Sequence, residues 1–131
     1  MLNNSLWISY PTKEDYTCPV FKKKFAAYKE IKKATLKITS LGCYYAEINN
    51  TRVGDFILAP GWTYYKRAQM QTYDITNMLK QENEIRVTLS QGWFNGRINI
   101  RTRKELPDVC PALICEIEIV YADNTREHIY S

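Results

Sequence analysis

Two adjacent side-chain amides, Asn49 and Asn50, stand in a stretch unusually rich in aromatic rings. Tyr44 and Tyr45 precede them, Trp62, Tyr64, Tyr65 and Tyr73 follow, and Trp93 comes further on. Amides supply directional donors and acceptors. Rings supply flat apolar faces with polar tips. Together they suit a ligand with apolar C–H faces and a rim of hydroxyls, which is the chemistry of a sugar. The same residues can shape turns and plug the end of a β-sandwich. For Trp62, Trp93 and the Asn49-Asn50 pair that second role is the simpler expectation.

Other chemistries find less support. Base catalysis by a Ser-His-Asp or Cys-His arrangement would need the single histidine, His128. It sits between Glu127 and Ile129 in a strand-like segment, where a structural or surface role is expected. Glycoside hydrolysis needs two carboxylates facing each other across a sugar. The acids of the ring-rich stretch are Glu47, Asp55 and Asp74. They read as an exposed hairpin residue, a turn residue and a helix cap, so no catalytic residue is assigned. The cysteines at 18, 43, 110 and 115 contain no C-x-x-C pair, so a zinc site is not expected. Cys115 reads as a buried thiol.

The elements that must position these residues are short. The chain has 131 residues, 45% of them hydrophobic and 24% charged, which suits one globular domain. Residues 1–17 lack periodicity and read as a lead-in segment, with Trp7 as an anchor, before a single domain over 18–131. Strands are expected over 20–26, 34–39, 43–48, 51–53, 69–75, 84–89, 93–100, 112–121 and 126–130, from alternation and from Gly, Pro, Asn and Asp breaks. Asn49-Asn50 turns a hairpin between two of them. Asp74 or Thr76 caps one helical turn over 77–80. Ile85, Val87 and Leu89 point inward, as do Leu113, Cys115, Ile117 and Ile119, with Glu116 and Glu118 on the opposite face. Many short strands and no long helix give an all-β fold, an antiparallel β-sandwich of jelly-roll type with one short helical turn.

The net charge is +4, and its densest cluster is Lys22, Lys23 and Lys24, with Lys29, Lys32 and Lys33 nearby. Lysines of this kind guard a strand edge, and no nucleic-acid partner is expected. No apolar segment reaches membrane-spanning length. The first residues carry no basic start followed by an apolar run, so a cytoplasmic location is expected.

Six motifs occur in order: Gly42 to Tyr45, Ile48-Asn49-Asn50, Val53-Gly54-Asp55, Leu58-Ala59-Pro60-Gly61-Trp62, Thr72-Tyr73-Asp74-Ile75-Thr76 and Ser90-Gln91-Gly92-Trp93. This series resembles the N-terminal β-sandwich domain of bacterial α-L-rhamnosidases, over about residues 18–131. Asn50 stands where the family's turn has glycine, and asparagine tolerates the left-handed backbone needed there. The resemblance implies a galactose-binding-like sandwich and a parent enzyme that removes terminal α-L-rhamnose with inversion. It implies that the catalytic residues lie in a separate helical barrel domain, C-terminal to this one, against which this domain could serve as a purely structural module. It also implies rhamnose binding, with calcium in some relatives, at the positions matching Asn49, Asn50 and Tyr73.

Overall fold

The segments 20–26, 43–48, 112–121 and 126–130 do form strands, with the bounds expected from the sequence. The computed structural model of the chain describes residues 2, 4–10, 17–61, 67–95 and 110–131. Nine strands are described: β1 Ile8–Ser9, β2 Val20–Ala26, β3 Ile31–Leu41, β4 Cys43–Ile48, β5 Thr51–Arg52, β6 Gln71–Asp74, β7 Glu82–Ser90, β8 Ala112–Tyr121 and β9 Arg126–Tyr130. A 3-10 turn covers Thr76–Met78, and one helical turn, α1, covers Gly92–Asn95.

All the described pairings are antiparallel, and they make two sheets. In the first, β8 pairs with β3, and β3 pairs with β6. The other side of β8 is shared end to end by β1, opposite Ala112 and Leu113, and β9, opposite Glu116 to Val120. The second sheet runs β2-β7-β4-β5. Ala34, Leu36 and Ile38 of β3, Leu113, Ile117 and Ile119 of β8, Ile85, Val87 and Leu89 of β7, and Ala46 and Ile48 of β4 join one buried cluster. Period-two alternation places each set on a single face, and the two apolar faces close on each other as a β-sandwich. Among the described residues, no helix is long and apolar enough to cross a membrane.

Five differences from the sequence reading have causes visible in the structure. The lead-in contributes β1, because Ile8 and Ser9 complete the β8 edge that β9 leaves open. Strand β3 starts at Ile31 and not Ala34, since an irregularity between Ile31 and Lys33 hides its start from simple alternation. The helical turn begins at Thr76 and not Asn77. No strand starts at Trp93: Gly92 has φ +51° and opens α1. A Cβ on Gly92 would lie 2.8 Å from the Cys43 backbone nitrogen, so the chain turns out of the ladder where it crosses β4. The rest of that expected strand, residues 96–100, lies outside the described residues. Glu116 faces outward as expected but is buried, at 7% exposure. One of its carboxylate oxygens lies 2.7 Å from His128 Nδ1.

Candidate functional site

The hairpin β4–β5 is closed by Asn49 and Asn50, at φ 52° and 63°. Two successive left-handed residues define a type I′ turn, whose twist matches that of the flanking strands. Asn50 is exposed and Asn49 is half-buried. The Asn49 amide is fully engaged. Its Nδ2 donates to Met78 O at 2.9 Å and to Asn83 Oδ1 at 2.9 Å, and its Oδ1 accepts from Glu84 N at 3.0 Å. Its backbone N–H donates to Glu84 O at 3.0 Å. Asn49 therefore ties the hairpin tip to the 3-10 turn and to the start of β7.

Asn83 completes this knot and was not singled out from sequence. It is buried at 4% exposure. Its Oδ1 accepts from Lys80 N at 2.7 Å, and its Nδ2 donates to Lys80 O at 2.8 Å. A polar residue at the first buried position of β7 was the available signal, since a buried amide must find partners.

Tyr73 occupies a different neighbourhood. It lies on β6 opposite Leu36 and packs against the core. Its hydroxyl lies 3.1 Å from that of Tyr44. Tyr44 also donates to Gln71 Oε1 at 3.2 Å, and Gln71 Nε2 donates to Pro60 O at 3.1 Å. Burial first, then the Tyr73 hydroxyl, keeps the Tyr44 hydroxyl neutral far above its ordinary range. The Tyr73 ring lies directly under Gly54, where a Cβ would come within 2.4 Å of its Cε1. This explains the Val53-Gly54-Asp55 motif as close packing. Tyr45 is exposed, unlike Tyr44 and Tyr73, with the Arg52 guanidinium 5.5 Å from its centroid. Trp62, Tyr64 and Tyr65 lie outside the described residues.

The acids take up local roles. Asp74 Oδ1 accepts from Thr76 N at 3.0 Å and from Thr76 Oγ1 at 2.6 Å, and these bonds lower its pKa. Thr76 Oγ1 in turn accepts from Ala34 N at 2.9 Å, fastening the 3-10 turn to β3. Glu47 lies 3.8 Å from Arg86 across the β4–β7 pair, and Asp55 is exposed in a turn. His128 stacks on Tyr130, with ring centroids 5.8 Å apart, as well as meeting Glu116, so it serves β9.

Calcium takes six to eight oxygens, carboxylates among them. Asn49 Oδ1 already accepts a backbone N–H. Among the described residues, no three His, Cys, Asp or Glu side chains gather in a metal-binding group. The donors described around the hairpin tip do not fit a calcium shell.

Comparison with known proteins supplies the remaining findings. Residues 29–131 match the model of the alpha-L-rhamnosidase N-terminal domain. An alpha-L-rhamnosidase of Streptomyces avermitilis is 40% identical over 106 residues, which is 79% of this chain and 10% of that protein. The crystal structure of an alpha-L-rhamnosidase from Aspergillus terreus superposes with a TM-score of 0.89 at 33% identity, over 99% of this chain and 16% of that one. The Streptomyces avermitilis enzyme complexed with L-rhamnose superposes with a TM-score of 0.80 at 37% identity, over 86% of this chain and 11% of that one. The chain thus spans between a tenth and a sixth of the length of these relatives.

Proposed function

The chain belongs to the family of α-L-rhamnosidase N-terminal domains, and on that premise we propose that it is the non-catalytic domain of an enzyme hydrolysing terminal α-L-rhamnosides, with rhamnose held at the Asn49-Asn50 hairpin end. The observation that supports this reading is the division of labour in the turn. Asn49 spends its amide on the fold, and that fixes the left-handed backbone from which Asn50 reaches solvent. A turn backbone held in advance leaves only the Asn50 side chain to be ordered on binding, which favours recognition of a hydroxyl pair. Tyr73 acts indirectly, through the packing under Gly54. The hydrolytic acid and base belong to a partner domain of the same polypeptide, the helical barrel.

The test is a titration of the 131-residue chain with L-rhamnose, with calcium and with a chelator, followed by heteronuclear NMR shifts. Saturable shifts at the hairpin, equal in both conditions, support the reading. Absence of any perturbation at high millimolar sugar refutes it. A second reading, a purely structural module packed on the barrel, is favoured by the commitment of Asn49 and Tyr73 to internal contacts. It requires no shift with sugar.

A further inference from the structure

The loop after β5 turns three consecutive apolar side chains outward. Phe56, Ile57 and Leu58 are 52%, 77% and 56% exposed, and Tyr45 beside them on β4 is 44% exposed. They border a recess of about 480 Å³ that Thr88 and Ser90 of β7 complete. Single exposed apolar residues need no explanation, but a contiguous group marks a surface that meets another.

The backbone of this loop is fastened along its length. Tyr44 N donates to Ala59 O at 2.7 Å, and Gly61 N donates to Leu58 O at 3.0 Å. Arg52 Nη2 donates to Phe56 O at 3.2 Å, and the Cys43 thiol lies 3.8 Å from Leu58 O. Leu58 has φ 56°, a left-handed conformation that is strained for a leucine. The fastening therefore holds a strained backbone so that an apolar side chain points into water. Strain of this kind persists only where the surroundings enforce it, and it leads from the outlier to a role. The residue types agree, since aromatic rings and arginine are enriched where protein surfaces meet.

We propose that Tyr45, Arg52 and the Phe56-Ile57-Leu58 loop form the docking surface for another domain of the same polypeptide. That domain presents an apolar face with a carbonyl or carboxylate for the Arg52 guanidinium. This occupant is chosen because the matched enzymes devote most of their length to other domains. The inference rests on the reading that this chain is part of such an enzyme. The fastened loop adds affinity by entering the interface already ordered.

Hydroxyl-radical footprinting of the 131-residue chain and of the longer polypeptide tests this. In the longer polypeptide, oxidation of Tyr45, Phe56, Ile57 and Leu58 falls severalfold, while that of Tyr28, 72% exposed, serves as the reference and stays level. Ile57→Asp leaves the urea midpoint of the short chain unchanged and returns Tyr45 and Phe56 of the longer one to the short-chain rate. Equal oxidation of the loop in the two proteins overturns the proposal. So does a dimer of the short chain that protects these residues while the longer polypeptide leaves them exposed, which would assign the surface to a second copy. Hydrolysis of a chromogenic rhamnoside by the longer polypeptide reports separately on the family reading. An active enzyme with an unprotected loop refutes the docking alone, and a protected loop in an inactive protein refutes the enzyme reading alone.

Discussion

Replacing Asn49 by alanine removes the side chain that joins the hairpin tip, the 3-10 turn and β7. Three hydrogen bonds are lost, to Met78 O, Asn83 Oδ1 and Glu84 N. Asn83 Oδ1 keeps its bond from Lys80 N, so Met78 O and Glu84 N are the groups left short of a partner. At about 0.5–1.5 kcal/mol net for each bond, the loss is about 1.5–4.5 kcal/mol. Alanine at φ 52° adds about 1 kcal/mol of left-handed strain. The expected destabilisation is about 2.5–5.5 kcal/mol, which for a domain of this size lowers Tm by roughly 10–20 °C. Urea unfolding measures it, with an unchanged m-value as the sign that the denatured state is unaltered. Asn49→Gly separates the two contributions, since it loses the same bonds without the strain and should recover about 1 kcal/mol. Asn50→Gly, at an exposed position with φ 63°, should stay within about 0.5 kcal/mol of wild type. If Asn49→Ala costs less than about 1 kcal/mol, the amide is not what fixes the tip. Asn49 then does not set the backbone from which Asn50 reaches solvent.

Two further perturbations probe the frame around the site. Gly42→Ala places a Cβ 2.2 Å from the Ser90 backbone oxygen, at φ +122°; a cost above about 3 kcal/mol, or failure to fold, is expected by denaturation and solubility, and a mild effect would mean that the β3–β4 corner can shift. Burial pushes the Cys115 thiol up to about 11 from its ordinary 9.0, so iodoacetamide at pH 8 should modify exposed Cys18 well before it. A raised acid pKa contributes stability that is complete below about 9 and disappears as pH rises through 11. The urea midpoint should fall across that window, and fall less in Cys115→Val. Equal falls in the two proteins would contradict the assignment.

The sequence carried the strands that open on a clear break and lost those that tertiary contacts impose. Strands β2, β4, β8 and β9 each begin just after a Pro, Gly or Asp-Asn break, at Pro19, Gly42, Pro111 and Asp123-Asn124, so their starts are readable. Strand β1 has two residues and exists because the β8 edge needs a partner, which no local pattern reveals. The turn at Gly92 depends on how close β4 passes, again a distant cause. At the candidate site, the hairpin was legible because two adjacent asparagines suit two left-handed residues. The commitment of Asn49 to Met78, Asn83 and Glu84 was not legible, because those partners lie 29 to 35 residues away. Tyr73 was readable as an aromatic near the turn, but its place under Gly54 follows from the stacking of the two sheets. Motif order identified the family better than any residue type identified a contact.

The central claim is that the exposed amide of Asn50 recognises rhamnose from a turn that Asn49 holds rigid. Its most direct test is the NMR signal of the Asn50 side-chain amide in the 131-residue chain during a titration with L-rhamnose, repeated with D-glucose and with Asn50→Ala. The account predicts a saturable shift with L-rhamnose and none with D-glucose. It also predicts loss of the accompanying hairpin shifts in the variant, with an unchanged urea midpoint once the left-handed cost of alanine is allowed for. An Asn50 amide signal that stays in place at high millimolar L-rhamnose, or hairpin shifts that persist in Asn50→Ala, would contradict it.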